Sequence, residues 1–330
     1  MLIKSKWPQF YSLNIRSFIR STIPITNKPM KPLVFLLSAA LTGISTAELR
    51  SEKTDSSLKI FDGNKLITEY RTDSSVPYLY PLVGPGGTGL TRSFPMVKDV
   101  AGEQSDHPHH RSFWFTHGNV NGHDFWHDPK HNSKIQHQSF ENIKGGTFTA
   151  NLHWTHKDKI ILKEKRTYQF EKLSEKALSI VVNSQITAEI DTKFADTKEG
   201  SFALRIAPTL RHKGNVAKGQ LANSEGQIDG KVWGKRAKWV SVHGPDSKGQ
   251  ATVITMMDHP ENLRHPTWWH ARTYGLIAAN PFGKKDFGEK ESGDYNLKKG
   301  KTLTQRYGIL LESGKFDREA VAKSYQKFAN

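Results

Sequence analysis

Gly145-Gly146-Thr147-Phe148-Thr149-Ala150-Asn151-Leu152-His153-Trp154 is the stretch that decides the fold. Its strict alternation puts Phe148, Ala150, Leu152 and Trp154 on one face of an extended chain, the signature of a strand with one side buried. The same period recurs along the chain. Leu58 to Phe61 and Leu66 to Tyr70 flank Asp62-Gly63-Asn64, which supplies the positive-φ chemistry of a hairpin turn. Leu178, Ile180 and Val182 repeat the pattern, as do Phe202, Leu204 and Ile206. Further strands are expected over 159–163, 166–170, 232–240, 251–257, 274–279 and 305–311. Many short strands punctuated by Gly, Asn, Asp and Pro predict an all-β protein, a large antiparallel β-sandwich with a barrel as nearest competitor. Only the C-terminus reads as a helix: Asp317 caps it, Phe316 and Val321 form a hydrophobic staple, and Val321, Tyr325 and Phe328 make an apolar stripe. No Pro/Gly/Ser-rich linker interrupts 58–312, so 48–330 is expected to be a single domain.

The start of the chain carries a different message. Met30-Lys31-Pro32, the apolar run from Leu33 to Leu41, and Ser45-Thr46-Ala47 read as a secretory signal over 30–47, cleaved after Ala47. Residues 1–29 precede that complete signal and read as a start codon placed too early or a basic leader. The expectation is export to the periplasm or cell surface, with no membrane span, because no apolar run approaches roughly 20 residues. Removing 1–47 takes away six basic residues and no acidic one, leaving 42 basic against 32 acidic, a balance of +10. The remaining Lys residues are scattered, which fits a solvated surface with some attraction for anionic glycans; no nucleic-acid partner is expected. With no cysteine, a disulfide, a Cys-bound zinc and a thiol nucleophile are all excluded.

Chemistry concentrates in one region. Eight of the fifteen histidines lie between His107 and His137, interleaved with Arg111, Trp114 and Trp126. Imidazole offers proton transfer near neutral pH and metal ligation. If 110–117 is a strand, Phe113 and Phe115 belong to the core, leaving His117 at the strand end beside the Gly118–Gly122 loop. His107-x-His109 can put two imidazoles on one side of an extended chain, so a divalent metal held by His107 and His109 is the cofactor this pattern allows. His123, His127 and His131 stand at i, i+4, i+8, but Gly122 and Pro129 argue against the continuous helix that would align them. A second dense region runs from Asp258-His259-Pro260 through Trp268-Trp269-His270-Ala271-Arg272 to Tyr274. Indole faces stack on sugar C–H surfaces while Arg and His bind hydroxyls or a carboxylate. The phosphate loop, the Gly-x-Ser-x-Gly elbow, the His-Glu-x-x-His motif and the dinucleotide fingerprint are all missing.

Four stretches carry a resemblance: Tyr78-Leu79-Tyr80-Pro81-Leu82, Asp106-His107-Pro108-His109-His110-Arg111-Ser112-Phe113-Trp114-Phe115, Asn121-Gly122-His123-Asp124-Phe125-Trp126, and Asp258-His259-Pro260 through Arg272 with Tyr274-Gly275. In these the chain resembles an exported bacterial family labelled "methane oxygenase PmoA", over about 58–312. That resemblance implies a metal-dependent oxygenase with His107, His109 and one of His117 or His270 as ligands. At the level of fold the strand pattern also resembles the β-sandwich of aldose mutarotases.

The leading expectation is an exported carbohydrate-active enzyme using His acid/base chemistry on a sugar or uronate, of epimerase, lyase or hydrolase type. His110 or His117 would carry the proton and Asp106 or Asp124 would orient it. Arg111, Asn121, His123, Trp126, His259, Trp269, His270 and Arg272 would bind substrate. The rivals are the oxygenase and a noncatalytic glycan-binding module. All of these require 106–126 and 258–272 to line one cleft.

Overall fold

The computed structural model describes residues 49–127 and 132–330. The leader, the signal peptide with its cleavage site, and His131 lie outside the described residues. Among those described, no helix is long and apolar enough to cross a membrane.

Two eight-stranded sheets make the body. The first runs, in spatial order, β1 (Leu49–Lys53), β2 (Ser57–Asp62), β3 (Lys65–Arg71), β4 (Tyr78–Leu82), β5 (Phe113–His117), β11 (Gly200–Arg205), β16 (Leu276–Asn280) and β15 (Trp268–Ala271). The second runs β12 (Gln220–Asn223), β13 (Trp239–Pro245), β14 (Ala251–Asp258), β18 (Thr302–Ser313), β9 (Ala177–Ala188), β8 (Lys159–Ser174), β7 (Thr147–His156) and β6 (Ser133–Lys144). β10 (Thr192–Phe194) and β17 (Tyr295–Leu297) form a small ribbon, and α1 spans Arg318–Ala329. All these strand pairs are antiparallel. The protein is a large antiparallel β-sandwich, as the alternation predicted.

The inner faces meet through aromatic side chains. Phe148, Ala150, Leu152 and Trp154 of β7 are all buried. Phe202 of β11 stacks on Tyr307 of β18 at 4.5 Å between ring centroids, and Phe113 of β5 meets Tyr168 of β8 edge-on at 6.3 Å. Inside this apolar layer lies an ion pair: Arg166 donates to both oxygens of Glu164, at 2.7 and 2.8 Å, and both side chains are fully buried. Trp154 and Ser184 donate to the same carboxylate, at 2.8 and 2.6 Å. These partners meet the requirement that a buried charge be paired and hydrogen-bonded.

That pair explains one difference from the sequence expectation. The strands expected over 159–163 and 166–170 are one strand, β8, whose inward alternation continues through Glu164 and Arg166. The strand expected over 232–240 is also revised. Asp229–Val232 is a short 3-10 turn, Gly234 takes φ +68°, and β13 begins only at Trp239. The intervening backbone is tied to the β15 segment instead, through Gly234 N–H to the Trp269 carbonyl and Ala237 N–H to the Thr267 carbonyl. At the C-terminus Asp317 caps α1, accepting from the N–H groups of Glu319 and Ala320, and Val321 and Tyr325 are buried. The long connection from β4 to β5 positions the candidate site: it crosses the end of β11, with Thr91 bridging Ile206.

Candidate functional site

Asp106 is the pivot of that connection. Arg205 of β11 donates to its two carboxylate oxygens at 2.9 and 3.2 Å, and Arg92 donates to one of them. Both arginine side chains are buried, 0% and 2% exposed, whereas the Asp106 side chain is 35% exposed. Two interior cations thus hold one carboxylate at the surface. Burial alone would raise the Asp106 pKa, but Arg205, the hydrogen bond with His107, and Arg92 outweigh it and hold it below the usual carboxylate range. Arg92 also donates to the carbonyls of Gln104, Asp106, His107 and His110, fixing the loop's path.

Four imidazoles are arrayed above this anchor. His107 has Nδ1 at 2.9 Å from Asp106 and lies between His110 (4.8 Å, planes 7° apart) and Tyr274 (5.5 Å, 12°). His109 meets His110 edge-on at 4.4 Å and has His127 at 4.8 Å. His127 is held in turn by Asp124, whose Oδ2 lies 2.5 Å from His127 Nδ1 and whose Oδ1 accepts from the N–H groups of Trp126 and His127. The Asp124 hydrogen bond raises the His127 pKa above the ordinary 6.5. Burial, with repulsion from His127 and His107, pushes His109 down to about 3. Burial likewise drives His110 far below the ordinary imidazole range. Two neighbouring imidazoles are therefore biased in opposite directions, His127 toward the cation and His109 toward the neutral ring.

The second dense segment reaches this array at one end only. Tyr274 packs its ring on His107, with the Arg205 guanidinium 4.5 Å and that of Arg272 5.5 Å from its centroid, and Arg272 also lies 6.0 Å from the Trp233 ring. The other end of the segment packs under α1: His259 has Nε2 at 3.4 Å from Arg306 and its ring at 5.4 Å from Phe328. Trp269 is 0% exposed and donates to the Ala237 carbonyl, so it is core and offers no face to a ligand. His270 is buried, with Nδ1 at 3.0 Å from the Lys198 carbonyl, and burial lowers it to about 4.

The expected residues of the first segment divide in the same way. His117 is 1% exposed; its Nε2 is bonded to the Ala195 carbonyl at 2.8 Å, and burial lowers its pKa to about 4. The expectation that β5 ends at a cleft fails because all five of its residues are buried, His117 lying against Phe282 and Phe194. Asn121 serves a turn: it takes φ +53°, accepts from Lys193 N–H and donates to the Asp191 carbonyl. His123 stacks on His156 at 3.6 Å, apart from the array. Trp126 and Trp114 are buried 5.3 Å apart beneath His110. Asp106, His107, His109, His110, Asp124 and Arg272 are the expected residues brought together. Arg111 borders the same region, sharing a cleft with His109. His127, Tyr274, Arg205 and Arg92 join them without having been singled out for roles. The Asp124-x-x-His127 spacing was the available signal for His127, and no local feature marked the two arginines.

The donor set does not fit the metal that the oxygenase resemblance implies. His110 Nδ1 faces the Arg205 cation at 3.3 Å, and His117 and His270, the third ligands that resemblance implies, are each buried with a ring nitrogen on a backbone carbonyl. Among the described residues no three His, Asp or Glu side chains converge to hold an ion.

Comparison with solved structures finds a "Putative kojibiose phosphorylase from human microbiome" at 10% identity and TM-score 0.36, over 86% of this chain. The chain spans 32% of that phosphorylase's length. A "Putative aldose 1-epimerase" from Escherichia coli K12 matches at 11% identity and TM-score 0.32, over 81% of this chain and 99% of that one. A galactose mutarotase related enzyme from Lactobacillus acidophilus matches at 10% identity and TM-score 0.32, over 82% and 99%. No curated protein matches the sequence. The sequence family that matches, over residues 57–326, bears no oxygenase designation. On the length of that match, the chain belongs to a family of unknown function, DUF6807.

Proposed function

We propose that this protein is an exported carbohydrate-active enzyme that works with a pair of histidines, His127 as the acid and His109, held neutral beside it, as its partner. The observation that carries the reading is the 4.8 Å approach of these two rings together with their opposed pKa shifts. Separating the pKa values of neighbouring groups fixes which of the two carries the proton. Asp124 orients His127 and stabilises its cationic form. Asp106, fixed by Arg92 and Arg205, steadies His107, which packs on Tyr274. Exposed or part-exposed acceptors (Asp106, Asp124) and donors (His127, Arg272) lie around this array, groups suited to the hydroxyls of a sugar. A pair of imidazoles, with the Asp106 carboxylate locked by two guanidinium groups, favours epimerase or lyase chemistry over the two-carboxylate scheme of glycoside hydrolysis.

The test is a panel of reducing sugars and oligosaccharides followed by polarimetry and proton NMR, with His127→Gln and His109→Gln alongside the wild type. The expected loss in His127→Gln is about 10²- to 10⁴-fold, the usual worth of a positioned general acid. A wild-type rate in that variant, or no turnover across the panel, refutes the proposal.

A further inference from the structure

Two aspartate–histidine couples flank His109. In each, a carboxylate oxygen stands on the Nδ1 of an imidazole, Asp124 Oδ2 at 2.5 Å from His127 and Asp106 Oδ2 at 2.9 Å from His107. Both histidine side chains are well exposed, 45% and 43%, and the His109 ring lies 4.8 Å from the first and 5.7 Å from the second. The couples are therefore close enough to meet one sugar-sized ligand together. His107 is also held more firmly than a surface histidine requires. Its backbone takes φ +46°, a left-handed conformation that a bulky residue rarely adopts and that persists only where the surroundings impose it. Here Arg92 donates to the His107 carbonyl at 2.8 Å, and the ring stacks nearly parallel on His110 and Tyr274. The carboxylate partner is clamped in turn: Arg205, the hydrogen bond with His107, and Arg92 outweigh the effect of burial and keep Asp106 ionised. An ionised carboxylate can only accept, so it takes the Nδ1 hydrogen of the neutral ring and leaves the lone pair on Nε2. Among the described residues Nε2 has no hydrogen-bond partner, and the ring that carries it is exposed. A histidine kept for packing alone would resemble His117 or His270, each buried with a ring nitrogen near a backbone carbonyl.

We propose that His107 is the general base of this site, accepting a substrate proton on Nε2 while Asp106 holds its Nδ1–H. The assignment rests on the reading of His127 as the acid and adds the group that receives the proton. One proton passes from a substrate C–H or O–H to His107 Nε2, whose lone pair forms the new N–H bond, and one passes from His127 to a substrate oxygen. The electron pair released by the first bond moves through the substrate toward the oxygen that His127 protonates, so the substrate's charge is unchanged. Asp106 stabilises the imidazolium without taking its proton, and the two imidazoles regain their starting states by exchange with water.

The experiment joins a measurement on the resting protein to turnover on the same sugar panel. The full chain is labelled with 15N in its histidines and observed by NMR at about pH 8.5, where an ordinary imidazole is neutral. His107, whose signals are identified by their loss in His107→Gly, is expected as the Nδ1–H tautomer. Glycine adopts positive φ without strain, so this variant should keep the fold, as its denaturation midpoint will show. His107→Asn, which tolerates the same backbone conformation, repeats the test with the space partly filled. In both variants kcat on the converted sugar should fall about 10²- to 10⁴-fold with KM little changed, and free imidazole should restore part of the rate in His107→Gly. The Nε2–H tautomer at His107, a wild-type rate in either variant, or a lost rate that imidazole leaves unrestored in folded His107→Gly overturns the proposal. The two proposals fail separately. A wild-type rate in His127→Gln beside an inactive His107→Gly removes only the acid reading, and the reverse pair or the wrong tautomer removes only this one. No sugar converted across the panel removes both.

Discussion

Acidification from about pH 7 to about pH 5 should destabilise this protein through two buried imidazoles. His117 and His270 are 1% and 3% exposed, each with one ring nitrogen near a backbone carbonyl, and burial lowers both to about 4 from the ordinary 6.5. In the unfolded chain they take up protons near 6.5, while in the folded one they stay neutral until pH nears 4. The unfolded state therefore binds more protons throughout that window, so stability falls as pH drops below 6.5 and levels off only below 4. At about 1.4 kcal/mol per pH unit per group, the step to pH 5 costs about 2 kcal/mol for each histidine and about 4 kcal/mol for both, a large share of an ordinary domain's stability. Urea denaturation at the two pH values, at constant ionic strength, measures it. His117→Gln is expected to be less stable at both, since it disturbs a packed site, but its loss between them should be smaller than wild type's by about 2 kcal/mol. An identical pH-induced loss in His117→Gln and wild type would refute the reasoning. His127 contributes with the opposite sign: its raised pKa gives stability that is present in full below about 6.5 and is lost as pH rises through the folded value.

Asp124→Asn removes the hydrogen bond that raises His127, so the alkaline limb of the pH–rate profile should move to lower pH; an unmoved limb would show that His127 is not the acid. Arg166→Met leaves Glu164 buried without its counter-charge and should cost about 3–5 kcal/mol in chemical denaturation, with Glu164→Gln/Arg166→Met regaining most of it. Asp317→Ala deletes the cap that accepts from Glu319 and Ala320 and should cost about 1 kcal/mol, read from the denaturation midpoint.

Much of the architecture was legible along the chain. The alternation at Phe148–Trp154, Leu178–Val182 and Phe202–Ile206 identified inward faces, because period two is a property of an extended backbone and survives in the sequence as a pattern. The turn at Gly63 and the Asp317 cap were readable for the same reason: each is settled within a few residues. β8 was divided in the reading because Glu164 and Arg166 look like surface residues until Trp154 and Ser184 are seen to join them in the core. The histidine cluster was visible as density, and the structure does gather His107, His109, His110 and His127.

Which imidazole faces solvent was decided only by tertiary packing. His117 was expected to carry the proton and His127 was given no role, yet the first is enclosed by Phe282 and Phe194 and the second stands at the surface on Asp124. Arg205, 99 residues from Asp106 in sequence, reaches it together with Arg92 because the β4–β5 connection that carries Arg92 and Asp106 folds across β11. Local sequence determines strand, turn and cap, whose interactions span a few residues. Charge state and exposure arise from neighbours brought in by the fold, so the approach of His109 to His127 had to await the folded chain.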